Sequence, residues 1–217
     1  MNKITRSERI AMILLMLSQK PNKLHTLTEF AEKFGCAKST LSEDMSALKK
    51  VLAQHGLGRI ETVPGAAGGV KYLMGSTPEQ NIAYIQSICD ILAHPSRILP
   101  GGFLYTVDIF SDPTYIRRLG EIIAAQYYGA EPDVVVTVES KGVPIGLMVA
   151  QALGKNLVVA RRDSKVTEGS VVTLNYLSTS SKRLQTMSLS RRAVKEGQKA
   201  LIVDDFVKGG GTVGAIC

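Results

Sequence analysis

The chain has 217 residues, of which 45% are hydrophobic and 21% charged, enough apolar material to bury a real core and too much for a disordered polymer. Its three cysteines, Cys36, Cys89 and Cys217, contain no C-x-x-C pair, which argues against a disulfide scaffold or a zinc ribbon and for a reducing cytosol. The net charge of +7 is uneven: residues 1–75 hold 11 Lys/Arg against 6 Asp/Glu, and residues 76–217 hold 15 against 13. A basic head on a nearly neutral body points to a polyanion as the partner of the head.

The first apolar run, Ile10 to Leu17, is eight residues long, far short of the ~20 that a membrane span requires. No small-residue cleavage site follows it, so it is not a secretory signal. Thr5 and Glu8 have capping-box spacing, and Ile10, Ile13, Leu14 and Leu17 share a face, as in an amphipathic helix. A second helix is expected from an N-cap at Thr28, through Phe30, Ala31 and Phe34, to a stop at Gly35. A third carries Leu41, Met45, Leu48 and Leu52 inward.

Two short helices around a glycine turn fit a helix-turn-helix, whose second helix enters the major groove of DNA. Lys38 would then reach phosphate, while Ser39, Thr40 and Ser42 approach base edges. Glu43 and Asp44 lie on the same helix and must face the protein or water, because they would repel phosphate. Residues 59–63 and 70–73 read as two strands around the glycine-rich stretch 64–69. Three helices and a hairpin make a winged helix over residues 1–75. Lys3, Arg6, Arg59 and Lys71 complete the set of expected DNA-binding side chains. The expected partner of this head is double-stranded DNA, with no membrane involved.

Ser76-Thr77-Pro78-Glu79 marks a boundary, with Pro78 at a first helical position. From about residue 98 the pattern changes class. Val134 to Val138 is a nearly continuous apolar run, as in a strand buried on both faces. Helix 143–153 and strand 157–160 follow, making a right-handed parallel crossover. The last strand, Ala200 to Val203, ends in Asp204-Asp205 and passes into Gly209-Gly210-Gly211-Thr212. Glycines at a helix start form an anion nest, Thr212 adds a donor, and two carboxylates beside it suit ribose hydroxyls. The implied ligand is a phosphorylated ribose. The Walker pattern is absent, and the G-x-G-x-x-G match of Gly209, Gly211 and Gly214 is a weak signal by itself.

Residues 200–212 resemble the thirteen-residue signature of type I phosphoribosyltransferases, which bind phosphoribosyl pyrophosphate (PRPP). The resemblance implies that Asp204 and Asp205 hold the ribose hydroxyls and that Lys208, Gly209, Gly210, Gly211 and Thr212 cradle the 5-phosphate. Ser140, Lys141 and Gly142 match the pyrophosphate loop, and residues 107–120 are similar to xanthine-type members. Across the whole chain, Val63 to Tyr72, Arg97 to Gly102 and Lys165 to Ser170 resemble the purine-operon repressor family of Gram-positive bacteria.

That likeness implies an α/β chain with a winged helix followed by a phosphoribosyltransferase-like parallel-sheet domain over residues 76–217. It further implies a cytoplasmic, nucleoid-associated homodimer that represses purine biosynthesis genes and releases DNA when PRPP binds. No catalytic residue, resident cofactor or metal centre is assigned. PRPP is the effector, the use of Mg²⁺ is left open, and guanosine tetraphosphate is a competitor by resemblance. Lys208 stands where related enzymes place an acidic residue, and Gly209 where they place Thr, which favours a sensor over a transferase. An active purine phosphoribosyltransferase with a regulatory head is the alternative, and a plain DNA-binding module with a structural sheet domain is the third. Residues 165–192 are expected to form a flap or a solvated hairpin. Arg161-Arg162 and Arg191-Arg192 would extend the DNA surface or face polyphosphate. Because the glycine loop should open a helix just where the sequence stops, the chain is expected to be a fragment.

Overall fold

The computed structural model describes residues 4–65, 67–162, 169–177, 184–206 and 213–214. The backbone divides into two compact units: Met1–Tyr105 with Ala152–Gly154, and Thr106–Gln151 with Lys155–Cys217.

In the first unit, α1 (Arg6–Gln19), α2 (Leu27–Phe34) and α3 (Lys38–His55) precede an antiparallel hairpin of β1 (Arg59–Val63) and β2 (Gly69–Leu73). The capping box forms as its spacing requires: Thr5 accepts from the Glu8 amide, and the Glu8 side chain accepts from the Thr5 amide. For α2 the N-cap is Thr26, which accepts from the amide of Glu29, and not Thr28. Thr26 lies three residues before Glu29, the spacing an N-cap hydroxyl needs to reach an N3 amide, whereas Thr28 already sits inside the helix. The helix ends at Gly35 in the left-handed region, φ 60°, where glycine alone avoids a Cβ penalty.

The core of this unit draws on every element just described: Ile13, Leu17, Phe30, Leu41, Met45, Leu48, Leu52, Ile60 and Val70. Each large apolar side chain buried there contributes roughly 1.5–3 kcal/mol. The hairpin is held to the helices by main-chain bonds between His25 and Val70, at 2.9 and 2.8 Å. Thr77 and Gln80 then form a second capping box with Pro78 at the first helical position, opening α4 (Pro78–Leu92). A short ribbon of β3 (Ile98–Leu99) and β4 (Phe103–Leu104) follows.

In the second unit, α5 (Val107–Ser111) leads to α6 (Pro113–Ala125), capped by Asp112. The parallel sheet holds β5 (Val134–Val138) between β6 (Asn156–Ala160) and β9 (Ala200–Ile202). Every residue of β5 is buried, Thr137 included, as its nearly continuous apolar run requires of a central strand. The β5–β6 crossover is α7 (Gly142–Leu153). A Cβ on Gly120 would strike Met148, so α6 approaches α7 through a glycine. Between β6 and β9, β7 (Val171–Leu177) and β8 (Leu184–Ser190) form an antiparallel hairpin, tied to the sheet by reciprocal main-chain bonds between Arg161 and Ser188.

Candidate functional site

The winged helix presents one side of α3 to solvent. Leu41, Met45, Leu48 and Leu52 point into the core, while Lys38, Ser39 and Ser42 are exposed and Thr40 is half-buried. Ala37 supplies no side-chain cap, so the first-turn amides of α3 remain donors for an anion. The two acidic residues of this helix part ways. Glu43 is exposed, whereas Asp44 is buried and receives Arg9 Nε at 2.5 Å and Arg6 Nε at 3.1 Å.

Other basic groups are distributed less simply. Lys49 Nζ donates to Thr62 Oγ1, joining α3 to β1. Arg59 pairs in register with Leu73 at the open end of the hairpin, away from the glycine-rich tip, and Lys71 faces Glu61 across the strands. The tip itself carries no cation in its sequence, so any wing cation acts from the strands. Lys3 lies outside the described residues.

The second site is a cavity of about 480 Å³ at the carboxyl edge of the parallel sheet, where open α/β sheets take their ligands. It is lined by Val138, Glu139, Ser140 and Lys141 after β5, Arg162 after β6, and Asp204, Asp205 and Phe206 after β9. Parallel pairing puts these three strand ends side by side. Glu139 organises the rim: Oε2 accepts from Arg161 Nη1 at 3.1 Å and Oε1 accepts from the Arg162 amide at 2.9 Å. The Glu139–Ser140 peptide is cis.

Gly142 lies against Thr137 and Asp204. A Cβ there would overlap both Thr137 Oγ1 and the Asp204 carboxylate, so only glycine allows the loop to pass this close. Asp204 Oδ1 accepts from the Asp205 amide at 2.9 Å. Its carboxyl is pushed up to about 6, mainly by burial and further by Asp205, against the lowering effect of that amide. The cavity thus offers carboxylates at one side and Ser140, Lys141 and Arg162 as donors at another. Such a set can hold a polyol that bears anionic groups.

The N-terminal part of the chain, residues 5–74, matches the family described as bacterial purine repressor, N-terminal. Residues 113–217 match the phosphoribosyl transferase domain. The purine biosynthesis transcriptional repressor PurR of Bacillus subtilis (strain 168) is 44% identical over 211 residues, 97% of this chain and 74% of that protein. The chain belongs to the bacterial purine repressor family. The purine biosynthesis transcriptional activator PurR of Lactococcus lactis subsp. lactis (strain IL1403) is 42% identical over 96% of this chain and 77% of that relative.

Family membership makes the protein a transcriptional regulator of purine biosynthesis, with operator DNA as its macromolecular partner. Its architecture is a winged-helix domain followed by a phosphoribosyltransferase fold. The xanthine phosphoribosyltransferase of Geobacillus thermodenitrificans (strain NG80-2) is 37% identical over 58% of this chain and 67% of that enzyme. A solved adenine phosphoribosyltransferase from Saccharomyces cerevisiae superposes with a TM-score of 0.53 at 24% identity, over 62% of this chain and 78% of that one. That match is one of fold. Among the described residues no helix is long and apolar enough to cross a membrane.

Of the sugar-phosphate residues expected in this regulator, Asp204, Asp205, Ser140 and Lys141 come together on one cavity, and Gly142 packs against Asp204. Lys208, Gly209, Gly210, Gly211 and Thr212 lie outside the described residues. Sequence reasoning did not single out Glu139 or Phe206, and it left Arg162 between two roles. The signal for all three was position beyond a strand end: Glu139 directly follows β5, Arg162 is two residues past β6 and Phe206 four past β9.

Proposed function

We propose that this family member senses PRPP at the sheet-edge cavity and that PRPP binding lowers its affinity for DNA. The observation that carries the proposal is the convergence of Asp204 and Asp205 with the Ser140–Lys141 loop on one cavity of about 480 Å³. The carboxylates accept from the ribose hydroxyls, and the loop and Arg162 meet the pyrophosphate. The residues 208–212 cradle the 5-phosphate in this reading. Mg²⁺ enters, where it is used, on the diphosphate of the ligand. Guanosine tetraphosphate competes for the same donors.

Coupling follows from linkage. If PRPP favours the form that binds DNA poorly, DNA weakens PRPP by the same factor. The added negative charge of bound PRPP also reduces the positive field that DNA meets. A polarisation titration of an operator duplex, with and without PRPP, tests this. Weaker DNA binding with PRPP is expected, and equal affinity overturns the linkage. Asp204→Ala combined with Asp205→Ala should abolish the response while leaving DNA affinity within about twofold, since neither carboxylate belongs to the winged helix and changes outside a binding surface usually cost under ~0.5 kcal/mol.

Catalysis is not expected, because Lys208 occupies the place of an acidic residue in the related enzymes. The 37% identity to a xanthine phosphoribosyltransferase favours the enzyme as a second reading. Nucleotide formed from PRPP and xanthine, guanine or adenine would establish it. A homodimer is proposed from the exposed apolar side chains of α4, Ile82 and Ile85 at 69% and 42% exposure, which water disfavours on a monomer. Sedimentation of the Ile82→Glu, Ile85→Glu variant should then show monomers.

A further inference from the structure

We infer that Asp44, an acidic residue on the DNA-reading helix, is a positioning residue that fixes the Arg6 guanidinium to receive a DNA phosphate. The inference rests on the DNA-binding role of the winged helix. A carboxylate 1% exposed must be paired, and Arg9, whose side chain is 10% exposed, already neutralises it. Arg6 is a second cation on the same group, and burial does not account for it: its side chain is 62% exposed. The cluster of Arg6, Arg9 and Asp44 therefore carries a net positive charge that ends in solvent.

The contact also has a useful geometry. Arg6 binds Asp44 Oδ1 through Nε, at 3.1 Å, so both terminal nitrogens remain as donors. A guanidinium anchored at Nε keeps the planar fork that matches two phosphate oxygens, and it has less rotamer freedom to lose on binding. Arg6 opens α1, and its anchor is on α3, the helix whose exposed face carries Lys38, Ser39 and Ser42. Asp44 thus places a cation beside the groove-reading surface without itself facing the groove. A lysine at position 6 has the charge but cannot hold the carboxylate and a phosphate with one planar group.

The test is a set of polarisation titrations of the full chain against a mixed-sequence DNA duplex across KCl concentrations. Wild type, Arg6→Ala, Arg6→Lys and Asp44→Asn are compared, with thermal melts to confirm folding. Arg6→Ala, an exposed change, should lower the slope of log affinity against log salt by about 1. Arg6→Lys should bind about fivefold more weakly than wild type despite its unchanged charge. Asp44→Asn removes a negative charge, so the field alone predicts tighter binding; weaker binding is expected.

An unchanged slope for Arg6→Ala, wild-type affinity for Arg6→Lys, or tighter binding by folded Asp44→Asn each overturns the inference. Should Asp44→Asn not fold, the two Arg6 variants decide. Failure of wild type to bind the duplex would refute the DNA-binding role itself, whereas binding with no Arg6 effect would refute only the positioning.

Discussion

Glu139 and Arg161 bridge the ends of two adjacent parallel strands, Oε2 to Nη1 at 3.1 Å, while the other Glu139 oxygen holds the Arg162 amide. This single carboxylate ties the loop after β5 to the segment after β6, and both line the cavity. Hydrogen bonds to charged groups contribute about 1.5–3 kcal/mol. Glu139→Ala should therefore weaken PRPP binding by about tenfold or more while leaving DNA affinity unchanged. Calorimetry with PRPP and polarisation with DNA measure the two effects separately.

Gly142→Ala tests the close approach of this loop to Asp204. The added methyl meets Thr137 Oγ1 and the Asp204 carboxylate, and both side chains must shift to admit it. Overpacking of this kind costs about 1–3 kcal/mol. The expected result is a lowered Tm together with PRPP affinity reduced about tenfold or more. Wild-type PRPP affinity in this variant would show that Asp204 is not a ligand-holding group.

The acidic pair predicts a pH dependence. Asp204 has a folded-state pKa of about 6 against an ordinary value of 3.8, so the folded protein binds more protons between those values. Its charged form destabilises the fold above about pH 6, and that cost is relieved as the pH falls toward the ordinary value. Asp204→Asn should raise Tm at pH 8, with the gain disappearing below about pH 4. PRPP binding has the opposite demand, because an ionised carboxylate is needed to accept from both ribose hydroxyls. Calorimetric affinity should fall as the pH drops through about 6.

Phe30 anchors the winged helix. It is fully buried, with its ring centroid 6.2 Å from that of Phe34 and 5.7 Å from that of His25. Phe30→Ala should cost about 3–5 kcal/mol, seen as a lowered denaturation midpoint, and DNA binding should decline with the folded fraction. Thr26→Ala should cost about 1 kcal/mol by removing the α2 cap, with little effect on PRPP.

Local rules made much of this fold readable. The Thr5–Glu8 box, the Leu41-Met45-Leu48-Leu52 stripe and the Val134–Val138 run each carry a complete periodic or capping signal, and each forms as that signal requires. Where two local signals competed, reading failed: Thr26 and Thr28 are both good caps, and only the distance to Glu29 separates them. Tertiary placement was less accessible still. The inward turn of Asp44 depends on Arg9, 35 positions earlier in the chain, and the place of Arg162 on the cavity depends on strand order. Arg59 reads as a wing cation from its neighbours, and it lies on the first strand of that hairpin, while its distance from the glycine-rich tip is set by the register. Asp204, Asp205 and the Ser140 loop were legible because a known signature carries them, while their meeting on one cavity required the pairing of β5 with β9.

The sheet order β6-β5-β9 has a further consequence during synthesis. Residues 139–141 leave the ribosome well before Asp204 and Asp205, and the interval includes α7, β6 and the β7–β8 hairpin. The pocket therefore cannot exist on a nascent chain until the β9 segment has emerged and docked beside β5. A growing chain has no such pocket until then, and any ligand gripping both strand ends would act as a late clasp on the maturing protein.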